Sequence, residues 1–416
     1  MTLDLSEPGL AERAARQPWQ KAASYWAEIE LATANLDTPT VILSAEALLH
    51  NARDMARRAS GTTIRVASKS LRVRGAIEQV LTLPGYAGVL AFTLPEALWL
   101  AETVEDVVVG YPTANRNALR RLATDERLAG RVTIMVDAVE QLELVNSVLP
   151  ASQRNTIRVC LDFDASWQAP VLGHLGVRRS PLHTPAALQD LARRVIAEPG
   201  FELVGVLSYE AQIAGVGSRP VGKPVEGAIN RWMQRNSFAE LSERRAEAIA
   251  LVRAEQALEF VNGGGTGSLE VTSADPSITE IAAGSGLFGP HLFDNYDNFT
   301  PAPAVAFGLN IVRKPLPDTV TLLGGGWIAS GPAGDDRLPQ VAWPKGLSYL
   351  AREGAGEVQT PLAGDAARSL AVGDRVWLRH TKAGEIAEHA NDIHILSNGE
   401  LRGSIPSYRG EGYAFL

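Results

Sequence analysis

The chain has 416 residues and a single cysteine, Cys160, so no disulfide can close within it. That absence fits a reducing compartment. Cys160 lies in "IRVCLDFD", which reads as a buried strand with the thiol as a small apolar core group. No apolar run approaches the ~18 residues that a membrane helix needs. The N-terminal "MTLDLSEPGLAERAARQPWQ" lacks the positive-then-apolar order of a signal peptide. The expected location is therefore the cytoplasm, with no membrane partner. No long basic run is present and the formal net charge is −8, so nucleic acid is not an expected partner.

What is present is ample apolar material. Hydrophobic residues make up 45% of the chain and charged ones 21%, enough for a large core and two domains. Residues 8–34 read as an amphipathic helix offering Trp19, Tyr25 and Trp26 for packing. Thr38-Pro39 then marks a boundary. From there "TVIL", "IRVA", "YAGVLAF", "DVVVG", "RVTIMVD", "IRVCLDFD", "ELVGVLS" and "LEFVNGG" read as strands, separated by helical patterns. Apolar runs without alternation suit a sheet covered on both faces. Eight such units predict a (β/α)8 barrel of the TIM type, with a doubly wound open sheet as the alternative. After about residue 290 short alternating strands and Gly, Asn and Asp turns predict a smaller all-β domain. The expected division is an N-terminal helical extension at 1–36, the barrel at 37–292 and a C-terminal β-domain at 293–416.

In such barrels function collects where strands end. On this reading Lys69 follows the second strand, Asp162 and Asp164 close the sixth, Ser208, Tyr209 and Glu210 follow the seventh, and "NGGGTG" (262–267) follows the eighth. Glycines let a backbone approach an anion closely, and successive N–H groups can cradle phosphate. A second turn, Gly284-Ser285-Gly286, comes soon after. "LLGGGWIASG" (322–331) falls in the β-domain and reads as a structural turn. A lysine amine near a phosphate site suggests pyridoxal phosphate. Neighbouring cations at Arg65, Arg72 and Arg74 would help keep such an amine neutral.

The stretches "TPTVILSAEALLHNARDMARRA", "RVASKS", "GVLAFTLPEA", "VNGGGTGS", "EIAAGSGLF" and "LAVGDRVWLRH" together resemble the fold-type III pyridoxal-phosphate enzymes, whose barrel is like that of alanine racemase. Within them the chain is most similar to the D-threonine aldolase and D-serine dehydratase group. The resemblance implies that Lys69 forms the Schiff base and that Gly264, Gly265, Thr266, Gly284 and Ser285 hold the phosphate. It implies that Tyr209 lies on the cofactor-facing rim. It also implies a homodimer, an amino-acid substrate, and a lyase reaction on β-hydroxy D-amino acids by retro-aldol cleavage or deaminating dehydration. A racemase of the alanine racemase type is the alternative. His174, in "GHLGVRR", and Arg409, in the tail "PSYRGEGYAFL", are candidate substrate-binding residues beside Asp162.

One departure from the family's pattern concerns a metal. The group carries a metal-binding His-x-Cys or His-x-Asp after "GDRV", the metal holding the substrate's β-hydroxyl. Here His380 matches the first ligand and Lys382 stands at the second. A protonated lysine has no lone pair for a metal. Two explanations stay open. Either a divalent metal binds with Glu385, Glu388 or His389, or Lys382 supplies the positive charge in the metal's place, which is the preferred reading. His380 and Lys382 are on either account catalytic candidates, His380 as an acid/base or a contact to the β-hydroxyl.

Overall fold

The computed structural model describes residues 3–170 and 172–416; the first two residues of the expected extension and Val171 lie outside the described residues. The chain forms two compact units, and neither is continuous in sequence. One comprises Met55–Lys69, Leu81–Gly284 and the last two residues; the other comprises the residues up to Asp54, Ser70–Val80 and Ser285–Ala414.

The first unit is a closed barrel of eight parallel strands: Thr63–Ala67, Tyr86–Ala91, Val107–Val109, Val132–Val136, Ile157–Asp162, Phe201–Ser208, Phe260–Gly263 and Glu280–Ala283. Its interior is filled by Val108, Met135, Cys160, Val204, Leu207 and Phe260, so the barrel is a packed core and Cys160 is one of its apolar fillers. Gly205 is required there, because a Cβ would come within 2.4 Å of the Phe260 ring.

The strand count is right but its membership is shifted by one. "TVIL" (Thr40–Ser44) is not a barrel strand: it pairs antiparallel with Val305–Leu316 and parallel with Asp392–Ser397 in the β-sheet of the other unit. A continuous apolar run says only that both faces are covered, and that sheet covers both faces too. The missing barrel strand is Glu280–Ala283, which pairs with both the seventh and the first strand and closes the circle. Its leading glutamate disguised it. Glu280 turns inward to Arg65 (2.7 Å) and Asn262 (2.9 Å). Lys69 thus follows the first barrel strand, Asp162 ends the fifth, Ser208 the sixth, Gly263 the seventh and Ala283 the eighth.

The second unit is a nine-stranded sheet that includes Val305–Leu316, Thr319–Leu323, Gln359–Ala363, Arg375–Arg379, Asp392–Ser397 and Glu400–Pro406. The last two form a hairpin whose turn, Asn398-Gly399, has both residues at positive φ. The N-terminal segment is not one helix. It breaks at Gln17 (φ +50°) and Pro18 into the helices Leu10–Arg16 and Ala22–Ala32, with a 3-10 turn between them. Tyr25, Trp26 and Ile29 pack on Ile42, Ala306, Trp377 and Leu396. Trp26 stacks on the fully buried Trp377 at 5.9 Å, and the Trp377 indole donates to Glu30 at 2.8 Å. The triple glycine at 324–326 is structural, as read from sequence: Trp327 stacks between Phe307 (4.2 Å) and His389 (4.9 Å), and a Cβ on Gly326 would lie 2.9 Å from the Glu357 backbone.

The extension is therefore part of the sheet's core. Trp26→Ala is expected to destabilise this unit by about 3–5 kcal/mol, read as a lower denaturation midpoint, whereas Leu31→Ala, at an exposed helix position, should leave the midpoint unchanged.

Candidate active site

The first barrel strand ends in a 3-10 turn, Ser68–Ser70. The Ser68 hydroxyl donates to the Leu90 carbonyl at 3.1 Å, which ties the turn to the next strand. Lys69 is exposed at this rim, and its Nζ donates to the Tyr111 hydroxyl at 2.9 Å. Tyr111 follows the third barrel strand. The Arg179 guanidinium sits 5.6 Å from the centre of the Tyr111 ring and 5.8 Å from that of Tyr209. The barrel thus brings Lys69, Tyr111, Arg179 and Tyr209 into one cluster.

One acid, Asp162, faces the same cluster. Asp162 is pushed up to about 7 by burial and by the charge of Asp137, with Asp164 adding to the rise and Arg179 opposing it. Asp137 itself is raised by burial, against a hydrogen bond from Gln141. Burial would raise the Tyr111 phenol, but the charge and hydrogen bond of Lys69, with Arg179, outweigh it and leave the phenol below its ordinary value.

The glycine turn after the seventh strand is held from behind. Glu210, fully buried, accepts from the Gly264 N–H at 2.9 Å and the Thr272 hydroxyl at 2.7 Å. The Arg58 guanidinium donates to the Thr266 carbonyl at 2.8 Å. Side chains are excluded here. Gly264 has φ +69° and its Cβ would meet Thr272 at 2.8 Å; that of Gly265 would meet Ala214 at 3.1 Å and the Tyr209 ring at 3.6 Å. At Gly284 a Cβ would lie 2.3 Å from the Ala67 carbonyl oxygen. Only glycine lets the end of the eighth strand lie against the backbone that leads into Lys69. Ser285 follows directly and opens a short helix, Ser285–Phe288. An amine at the rim, two side-chain-free turns and an aromatic ring beside one of them fit pyridoxal phosphate: Lys69 for its aldehyde, and the backbone at Gly264, Gly265 and Gly284 for its phosphate.

The basic run behind Lys69 does something other than expected. Arg65 points into the barrel and pairs with Glu280 (2.7 Å) and Asp106 (2.8 Å). Arg72 pairs with Glu388, and Arg74 with Glu411 at 2.7 Å. Each of these cations already has a carboxylate, so they are structural. His174 lies in a hairpin, Trp167–Ala169 with Gly173–Leu175, where its Nδ1 is 3.1 Å from the Gln168 amide. Its Nε2 is buried and makes no hydrogen bond. Neither Tyr111 nor Arg179 is singled out by the sequence. The available signal was the tyrosine two residues beyond "VVV", at a strand end.

In the other unit, Arg375–Arg379 leads into His380, which is 1% exposed. Burial, reinforced by the charges of Arg379 and His291 and opposed by Glu385, holds this imidazole well below its ordinary range. Neither ring nitrogen completes a hydrogen bond of ordinary geometry, although the Val305 backbone is close enough to favour the charged ring slightly. Lys382 reaches the Ser330 carbonyl at 3.4 Å. Glu385 accepts from the backbone N–H groups of Thr381 (2.9 Å), Lys382 (2.6 Å) and Ala383 (2.7 Å). Glu388 is engaged by Arg72, and His389 stacks on Trp327. No group of three His, Cys, Asp or Glu side chains among the described residues is arranged to hold a metal. The donor set at His380 does not fit a divalent ion, because each residue that could replace a second ligand already has another role. Arg409 is exposed on the tail and donates to Asn391 at 3.1 Å.

The first class defined by this architecture is a closed parallel barrel with a lysine at its rim and glycine turns after the neighbouring seventh and eighth strands. Residues 43–291 match the alanine racemase N-terminal domain family, and the chain belongs to that family. It is 26% identical over 257 residues to a 3-hydroxy-D-aspartate aldolase of Paracoccus denitrificans, a match covering 61% of this chain and 60% of the relative. The chain thus spans about three fifths of that relative's length. Among solved structures, the D-threonine aldolase from Filomicrobium marinum superposes with a TM-score of 0.73 at 19% identity, covering 91% of this chain and 97% of that one. A cysteine-to-alanine variant of a D-threo-3-hydroxyaspartate dehydratase, described as in its metal-free form, superposes with a TM-score of 0.66 at 17% identity over 89% of this chain and 97% of that one. At these identities the superpositions establish a shared fold. No helix among the described residues is long and apolar enough to cross a membrane.

Two outcomes follow from this geometry. Gly284→Ala should weaken pyridoxal phosphate binding and lower the melting temperature together, seen by titrating cofactor absorbance alongside a thermal scan; an unchanged pair of values would contradict the close contact with Ala67. The second concerns Asp162. Its folded value of about 7 lies above that of an unfolded carboxyl, near 4, so the unfolded chain releases the proton first as pH rises. Stability is fully present below about pH 4, falls between about 4 and 7, and stays reduced above. Asp162→Asn should remove that loss, so variant and parent should differ more in melting temperature at pH 8 than at pH 4.

Proposed function

We propose that the protein is a pyridoxal-phosphate-dependent lyase of β-hydroxy D-amino acids, cleaving them by a retro-aldol step or dehydrating them with loss of ammonia. The carrying observation is the Lys69 amine on the barrel rim, bonded to Tyr111 and flanked by the glycine turns at Gly264-Gly265 and Gly284. The names of the aldolase and dehydratase relatives support the substrate class. When bound, the cofactor supplies an electron sink for the substrate's α-carbon.

The chain's own groups do the rest. Lys69 holds the cofactor through Nζ and, once the substrate amine displaces it, takes or returns a proton at the α-carbon. The Tyr111 hydroxyl, on Nζ and with a depressed phenol, orients the amine and shares its proton. Gly264, Gly265, Thr266, Gly284 and Ser285 bind the phosphate, and Tyr209 lines the cofactor's seat. His380, which is buried and held below its ordinary range, and Lys382 are the catalytic groups we assign to the β-sheet unit. His174 and Arg409 contribute to substrate binding. The active form is a homodimer; Val225, Ile229 and Trp232, exposed on one face of the helix Pro224–Glu255, offer apolar surface for such contacts.

The test is an absorbance scan followed by product analysis. The purified protein should carry a near-visible band that borohydride fixes to Lys69, and Lys69→Ala should lose both band and activity. With D-threonine or D-serine the expected products are glycine plus aldehyde, or keto acid plus ammonia. Conversion of D-alanine to its mirror image, with no cleavage of either hydroxy amino acid, would replace the lyase reading by racemisation.

A further inference from the structure

Most arginines of the barrel unit that have been described hold a carboxylate. Arg58 is bound to Glu270, Arg65 to Glu280 and Asp106, Arg244 to Glu240 and Arg245 to Asp275. Arg179 differs. Among the described residues no hydrogen bond or ion pair reaches its guanidinium, whose contacts are with the rings of Tyr111 and Tyr209. The barrel sets its place. Tyr111 follows the third strand and Tyr209 the sixth, three strands apart in a ring of eight. A guanidinium 5.6 Å from one ring centre and 5.8 Å from the other therefore lies over the barrel mouth, not outside the strands. The backbone beside it is fixed. The Ser180 hydroxyl donates to the Asp162 carbonyl at 2.5 Å and accepts from the Leu182 N–H at 3.1 Å, and the Asp164 N–H donates to the Leu182 carbonyl at 3.0 Å. Residues 180–182 are thus strapped to the end of the fifth strand, and Arg179 reaches inward from that strap.

The nearby acids leave its fork open. Asp137 accepts from the Gln141 amide at 2.7 Å, and Asp164 is engaged by the Ser166 hydroxyl at 2.6 Å and by His183 at 3.0 Å. Asp162 feels the charge of Arg179, but no ion pair joins them. We infer that Arg179 binds the α-carboxylate of the substrate and restricts the site to amino acids whose carboxylate is free. The inference takes from the lyase reading only that the substrate is an amino acid, and every residue it uses belongs to the barrel unit. Lys69 Nζ and the Arg179 guanidinium share one tyrosine, at 5.5 and 5.6 Å from the Tyr111 ring centre. A substrate whose amine takes the place of Nζ carries its carboxylate on the adjoining carbon, on the side where a cation is needed against the charge of the strand-end acids. A carboxylate is planar with two acceptor oxygens, and a guanidinium meets it with two parallel hydrogen bonds. The two tyrosine rings hold the arginine stem beforehand, so less freedom is lost on binding. Held at both amine and carboxylate, the α-carbon has a set orientation to the groups of the rim.

The experiment uses the holoenzyme and two probes without a β-hydroxyl, D-2-aminobutyrate and its carboxamide, with binding read by calorimetry. The parent should bind the acid more tightly than the amide. Arg179→Met should weaken the acid by roughly 10–100-fold, the scale of losing hydrogen bonds to a charged group, and leave the amide and the cofactor's absorbance band unchanged. Arg179→Lys, which keeps the charge and loses the fork, should bind the acid with intermediate affinity; it decides the matter should Arg179→Met fail to fold. Equal weakening of acid and amide, an acid affinity untouched by either substitution, or loss of the cofactor band would overturn the inference. If the parent cleaves no β-hydroxy D-amino acid but its preference for the acid disappears in Arg179→Met, the lyase reading falls and the carboxylate assignment stands.

Discussion

The barrel rim depends on one buried carboxylate. Glu210, just beyond the sixth strand, accepts the Gly264 N–H and the Thr272 hydroxyl and lies 3.5 Å from Arg245. Arg245 in turn holds Asp275 at 2.7 Å, and all three charged side chains are fully buried. Buried ion pairs add little net stability, but removing one partner strands the others at a cost of about 3–5 kcal/mol. The network is therefore locked in one arrangement. It ties the sixth strand, the glycine turn and the long helix Pro224–Glu255 together. The preceding residue of that helix, Arg244, binds the carbonyls of Asp164 and Ser166 at 2.8 Å each, so one helix fixes the loops after the fifth and seventh strands. Tyr209 adjoins Glu210 in sequence and inherits its position.

Around this frame the rim is tuned by charge. Arg179 touches two tyrosine rings and opposes the rise of Asp162, while Lys69 and Arg179 together depress Tyr111. Cations and acids at this mouth counter one another, which is how a site holds groups that titrate near neutral pH. The β-sheet unit follows a different plan. There burial holds His380 below its ordinary range, while at Glu385 the charge of His380 and the backbone donors outweigh the rise that burial would cause.

Much of the architecture was legible because apolar patterning is a local property. Seven of the eight barrel strands, the glycine turn at 263–265 and the sheet strands Val305–Leu316, Thr319–Leu323, Gln359–Ala363, Arg375–Arg379 and Asp392–Ser397 follow from runs and breakers, whereas the short strands Gln340–Trp343 and Ser348–Tyr349 were not read from them. The eighth strand was missed because Glu280 interrupts its apolar run, and that glutamate is tolerated only through Arg65 and Asn262, which arrive from other strands. Conversely "TVIL" carries the same local signal as a barrel strand, yet it pairs with residues more than 250 positions away. Arg65, Arg72 and Arg74 looked like one basic run, but strand alternation and turn geometry send them to separate carboxylates.

The sequence by itself determined the element types, the buried role of Cys160, and the lysine and glycines that suit an anionic cofactor. Those properties reside in side-chain chemistry and short-range spacing. Only the tertiary structure decided which strands close the barrel, that Tyr111 and Arg179 join Lys69, and that Glu385, Glu388 and His389 are engaged elsewhere. Those outcomes depend on which distant groups meet once the chain closes, and on burial and neighbouring charge, which spacing along the chain does not encode.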